Sequence, residues 1–216
     1  MKKNVMTAIV SGAMVGCLAI GGTFAYLTAN SGTVKNTFTG AASLGVEIKE
    51  TATDKDTYDV TRLGSDTKLA DNATDSTPWL GAGAADDGFV YSDVVPGAVI
   101  AKDVDVQVTK NPTPSYLFVK VTGESNQFKT NIDTAKWSEV DAANHIYVRL
   151  DDNGGWAVVD SKTSAQQFGV FETVTVASDL TEIPENVQIT VTSAIVQATG
   201  DITHDDALKA AQDLLN

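Results

Sequence analysis

From Asp103 to Thr109 apolar and polar residues alternate without a break. Val104, Val106 and Val108 fall on one side, and Asp103, Asp105, Gln107 and Thr109 on the other. A period of two is that of a half-buried β-strand, because successive side chains leave opposite faces of the pleat. Tyr116 to Thr122 repeats the pattern, with Leu117, Val119 and Val121 on one face and Tyr116, Phe118 and Lys120 on the other. Leu44 to Ile48 and His145 to Leu150 alternate as well, the second with Ile146, Val148 and Leu150 inward. Further strands are expected at Trp156 to Val159, at Phe168 to Ala177 with Val174 and Val176 on one face, and at Val187 to Ala198 with Ile189, Val191 and Ile195 together.

Turn signals separate these runs. Val95-Pro96-Gly97 combines a residue that presets one dihedral with one that permits a positive φ. Asn111-Pro112-Thr113-Pro114 ends a strand, and Asp151-Asp152-Asn153-Gly154-Gly155 is a tight hairpin signal. Thr51 to Thr77, rich in Asp, Thr, Ser and Ala, reads as a long loop or insertion. Gly81 to Gly88, between Trp79-Leu80 and Phe89-Val90-Tyr91, reads as a flexible stretch. Only the tail changes period: Leu208, Ala211 and Leu215 share a helical face, Thr203 is placed to cap, and Asp205 and Asp206 suit the positive helix start. About eight strands with turns between them predict an all-β fold, an antiparallel sandwich of jelly-roll type with a short C-terminal helix.

The N-terminus follows a different logic. Lys2 and Lys3 precede a nearly uncharged run from Val5 to Leu27, the pattern of a secretory signal helix. The run is long enough to span a bilayer, so a retained anchor is the alternative. Its glycines (Gly12, Gly16, Gly21, Gly22) and its small-residue end favour removal. Cys17 loosely fits a lipidation motif, yet the apolar run continues well beyond it. The expected organisation is a signal peptide at 1–26, an N-terminal segment at 27–41 and a sandwich at 42–216 containing the loop 51–77.

Composition narrows the partners. The 216 residues carry a formal net charge of -13, from 15 Lys and Arg against 28 Asp and Glu. Such a surface repels phosphate backbones and anionic headgroups, so no nucleic acid partner is expected, and membrane contact only through the leader. Cys17 is the single cysteine; once the leader is removed, no disulfide, thiolate zinc site or cysteine nucleophile is possible. His145 and His204 are the only histidines, and no His-Glu-x-x-His pair, Gly-x-Ser-x-Gly elbow or phosphate-binding glycine loop is present. Asp151 to Gly154 lacks the spaced oxygens and late Glu of a calcium-binding EF-hand loop and reads as a turn. Asp54, Asp56, Asp86 and Asp87 offer at most weak calcium binding. Trp79, Trp137 and Trp156 are scattered, as packing residues are. No catalytic residue, metal site or cofactor is expected, and the chain reads as a non-enzyme.

One junction is more specific. Gly21-Gly22-Thr23-Phe24-Ala25-Tyr26-Leu27-Thr28, followed by Asn36-Thr37-Phe38-Thr39-Gly40 and the strand Leu44-Gly45-Val46-Glu47-Ile48, resembles the TasA/camelysin family of exported proteins. The blocks Val94-Val95-Pro96-Gly97, Tyr116 to Val121, Phe171 to Val174 and Ile189 to Ala198 resemble that family's strands more loosely, and Thr51 to Thr77 has no counterpart in it. The resemblance implies processing by a SipW-type signal peptidase near Tyr26 or Leu27; cleavage after Ala25 suits an ordinary small-residue rule equally. It implies secretion by a Gram-positive-type bacterium and a structural role in a cell-surface or biofilm-matrix fibre. Its partner is then the chain itself, joined head to tail by donor-strand pairing. Val34 and Phe38 anchor the donor segment, with Asn36, Thr37 and Thr39 beside them. The alternatives for this segment are a flexible tether or pairing within its own domain. A monomeric surface adhesin and a camelysin-type metallopeptidase are the alternatives for the whole chain.

Overall fold

Alternation at period two becomes two antiparallel sheets packed face to face. The computed structural model describes residues 28–33, 45–53, 59–62, 68–70, 73–80, 88–92, 94–109, 113–181, 183–184 and 187–215. The early strands are β1 (Thr28–Thr33), β2 (Val46–Thr53), β3 (Asp59–Arg62), β4 (Thr74–Ser76), β5 (Phe89–Ser92) and β6 (Val99–Val108). Then come β7 (Ser115–Thr122), β8 (Phe128–Thr130), β9 (Trp137–Asp141), β10 (Ile146–Arg149), β11 (Val158–Val159), β12 (Gln166–Val176) and β13 (Thr190–Gln197). Helix α1 (His204–Leu215) closes the chain. The front sheet runs β1-β13-β7-β10-β9, with β11 also paired to β7, and the back sheet runs β4-β2-β6-β12-β8. Strands β3 and β5 form a separate ribbon. The protein is an all-β antiparallel sandwich, and the expected signal helix lies outside the described residues.

Between the sheets, Val46 and Ile48 of β2, Val104, Val106 and Val108 of β6, and Phe171 and Val174 of β12 meet Leu117, Val119 and Val121 of β7 and Val191 and Ile195 of β13. Each such side chain removed from water contributes roughly 1.5–3 kcal/mol, so this layer is the principal stabilising element. The opposite face of β7 is not solvated. Tyr116 and Phe118, with Ile146, Val148, Ala194 and Val196, are buried beneath Ala207, Ala211 and Leu215 of α1. The front sheet is therefore covered on both faces. The inward residues of β10 point to the helix, and Tyr147 faces the inter-sheet core instead.

The helix is tied at both ends. Thr203 Oγ1 donates to Asp206 Oδ2 at 2.6 Å and accepts from Asp206 N at 3.2 Å, an N-terminal capping arrangement. Lys120 Nζ donates to the Leu215 carbonyl at 3.0 Å, placing a cation at the negative helix end. The buried stripe is Ala207, Ala211 and Leu215, with Leu208 only partly covered. Small residues there let the helix lie close to a sheet already filled by aromatic rings.

The region 51–77 is not one loop. It holds the end of β2, then β3 and β4, and Val60 is wholly buried. Leu69, Phe89 and Tyr91 pack against the same core, so the β3–β5 ribbon covers one end of the sandwich. A single apolar residue every several positions suffices to dock a short ribbon, which is why the stretch shows no strand periodicity. The turn after β10 closes as expected, with Asp151 N donating to Gly155 O at 2.8 Å and Asp151 Oδ1 accepting from Asn153 N and Gly155 N. The strand beyond it, however, is only Val158–Val159 and pairs with β7 rather than folding back along β10. Gly154 takes φ +81°, a region costly for other residues.

Candidate assembly site

Strand β13 is buried on both faces, by the inter-sheet core and by α1. Its backbone consequently needs a hydrogen-bonding strand on each edge, because each buried, unpaired N–H or C=O costs about 1–3 kcal/mol. On one edge β7 pairs with it along the whole length, from Thr190↔Thr122 to Gln197↔Ser115. On the other lies β1, in the register Thr28↔Val196, Ala29↔Ile195, Asn30↔Ala194 and Thr33↔Thr192, with an irregularity between Asn30 and Thr33. β1 is short and polar, Thr-Ala-Asn-Ser-Gly-Thr, and also borders β2 and α1. Residues 34–45 separate it from β2, which belongs to the other sheet. At roughly 3.3 Å per residue such a connection reaches about 40 Å when extended.

The expected junction residues Gly21, Gly22, Thr23, Phe24, Ala25, Tyr26 and Leu27 lie outside the described residues. So do the expected donor residues Val34, Asn36, Thr37, Phe38 and Thr39. What is described of the N-terminal segment is Thr28–Thr33, paired with β13 of its own chain. The β-prone side chains of this segment, Val34, Thr37 and Phe38, come later in the chain, and Thr-Ala-Asn-Ser-Gly-Thr offers no alternation. Only the unmet edge of β13 identifies it.

The histidines do not converge. His145 sits in the turn before β10 at φ 53°, exposed, with Nδ1 3.3 Å from Glu139 Oε1. His204 stacks on Trp156 at 4.1 Å and 14°, and Trp156 meets Tyr116 and Phe118 edge-on. Among the described residues no group of three or more His, Cys, Asp or Glu could hold a metal ion. Among them, too, no helix is long and apolar enough to cross a membrane.

A shallow cleft opens on the far side of the sandwich, lined by Asn131, Asp133, Lys136, Arg149, Phe168 and Glu172. The Arg149 guanidinium lies 5.3 Å from the Phe168 ring and 5.6 Å from Trp137, and burial holds its pKa below the usual value. This is the outer edge of β12, which β8 covers only at Val174 to Val176. Asn131 substitutes for a strand there: its Oδ1 accepts from Glu172 N and Thr173 N, both at 2.8 Å, and its N donates to Thr173 O. Trp137 Nε1 donates to Gly169 O at 2.8 Å. Register irregularities at Gly169/Phe171 and Phe171/Thr173 bend the strand further from a pairing geometry. The other two tryptophans also pack: Trp79 is half-buried with Lys49 Nζ 5.0 Å from its ring.

The geometry thus presents one strand edge closed by a terminal, separately tethered strand and another closed by side chains. No known protein family, curated protein or solved structure matches this chain.

Proposed function

We propose that this protein is a secreted structural subunit of a bacterial cell-surface or biofilm-matrix fibre, assembling after its apolar leader is removed. The observation that carries the reading is the pairing of β1 with the otherwise open edge of β13. A strand that satisfies this edge within one molecule satisfies it equally well on a second copy, since the hydrogen bonds exchanged are identical. The residues between Phe38 and β2 supply the reach, and head-to-tail donation does not close on itself, so it grows a filament. Val34 and Phe38 supply apolar anchors on the acceptor, following Thr28–Thr33 along the sheet. While the leader is attached, the donor end is held at the membrane, and a SipW-type signal peptidase would release it. A structural role also agrees with the spacing of His145 and His204 and with an acidic surface that keeps the secreted subunit soluble.

Electron microscopy of the mature chain beside a form lacking Leu27 to Thr39 tests this reading. Filaments are expected from the first and not from the second. Filaments of equal length from the shortened chain overturn it.

A further inference from the structure

Two ionisable side chains lie inside the back sheet where apolar ones are expected. On β2 the buried face reads Val46, Ile48, Glu50, Ala52, and on β6 it reads Ile100, Lys102, Val104, Val106, Val108. Glu50 is 1% exposed and Lys102 9%. The strands pair with Ala52 opposite Lys102 and Glu50 opposite Val104, so the two charged residues are diagonal neighbours on one face. Lys102 Nζ donates to Glu50 Oε1. The backbone around Glu50 is fixed as well: Glu50 N donates to Thr77 Oγ1 at 3.0 Å and Thr77 N to Glu50 O at 2.9 Å. Tyr91, from the ribbon that covers this end, places its ring 5.9 Å from Lys102 Nζ and donates its hydroxyl to Ala101 O.

Ion pairs this deep are poorly repaid, because desolvating both charges costs about as much as their attraction returns. A neutral product removes that cost. We propose that Glu50 and Lys102 condense to an intramolecular amide, cross-linking β2 to β6. For the bond to form, the ammonium passes a proton to the carboxylate along the hydrogen bond that joins them, which frees the nitrogen lone pair. The amine nitrogen adds to the Glu50 carboxyl carbon. The tetrahedral adduct then expels its hydroxyl group, which takes a proton from nitrogen and leaves as water. One C–N bond forms, one C–O bond breaks, and no oxidant, reductant or co-substrate is required. Well-oriented neighbouring groups can reach effective concentrations of about 10⁵ M, which speeds the addition, and exclusion of water from the buried site disfavours the reverse hydrolysis. The bond would staple the segment between the two strands, including the β3–β5 ribbon, in a sandwich whose residues 28–216 contain no cysteine. The inference is independent of strand exchange.

The test is the intact mass of the folded, purified protein under denaturing conditions, followed by peptide mapping. The expected mass is one water below that of the sequence, with the β2 and β6 peptides recovered as one species joined at Glu50 and Lys102. Lys102→Met and Glu50→Ala each restore the full mass, and Glu50→Gln loses ammonia instead of water. A wild-type protein at full sequence mass, with the two peptides separate, overturns the proposal whether or not the variants fold. So does a missing water that maps elsewhere, for example to a cyclised aspartate at Asp87-Gly88.

Discussion

The outer edge of β12 and the outer edge of β13 pose one problem and receive opposite solutions. Both strands are long, well packed and backed on one side by a full partner, so each presents a row of backbone groups that invites another strand. At β12 the caps come from Asn131 and Trp137, and Trp137 is itself 1% exposed in the inter-sheet core. Such a cap cannot leave without opening the core. At β13 the cap is β1, six mostly polar residues joined to β2 by residues 34–45. Lifting it off exposes backbone groups but leaves both apolar layers of β13 in place. One edge is closed by side chains rooted in the core and the other by a separate polar strand, which is the distinction the proposed strand exchange requires.

The largest effect comes from preventing that exchange. Thr33 and Thr192 are paired opposite each other, so Thr33→Cys with Thr192→Cys is expected to form a disulfide that locks β1 onto its own β13. Oxidised, the mature protein should stay monomeric by light scattering and microscopy; reduction should restore filament growth. Filaments from the fully oxidised pair would show that assembly uses another surface.

The sealed edge is probed through its anchor. Trp137→Ala empties a core site and removes the Gly169 cap, and should cost about 3–5 kcal/mol in denaturant unfolding. Trp137→Phe keeps most of the packing and should lose less, on the order of 1 kcal/mol for the hydrogen bond plus the smaller ring. Equal losses for the two would mean that the cap, not the packing, carries the effect. The smallest change is expected for Asn131→Ala, which leaves Glu172 N and Thr173 N to an exposed cleft. A loss of about 0.5 kcal/mol should come with faster amide exchange confined to that end of β12. Protection unchanged at Thr173 would contradict the assignment of Asn131 as its partner.

The strands that were legible are those whose two faces differ. β6 carries Val104, Val106 and Val108 against Asp103, Asp105 and Gln107, and its outer face is as polar as the alternation says: Lys49 reaches Asp105 at 3.6 Å, and Gln107 bonds Glu47 across β2. Lys102 is the exception within that alternation, a cation at a position the pattern assigns to the core. The short strands β8 and β9 went unseen because three or five residues give too little periodicity, and β9 is recognisable mainly through Trp137. β3 and β4 fall within 51–77, which reads as loop for the same reason, although Val60 is wholly buried. The position of His204 at the helix start is readable from sequence, since Thr203 caps just before it; the stacking of His204 on Trp156 is not.

What the chain determined by itself is local. Alternation sets which residues face one way, turn residues set where strands end, and Thr203 with Asp206 sets where the helix begins, since each depends on neighbours a few positions apart. The tertiary structure decided the rest: that one face of β7 meets a sheet and the other a helix, that polar Thr28–Thr33 is a strand at all, and that Glu50 and Lys102 touch. Those outcomes rest on contacts between residues tens of positions apart, and a strand is made as much by the partner edge that requires it as by its own side chains.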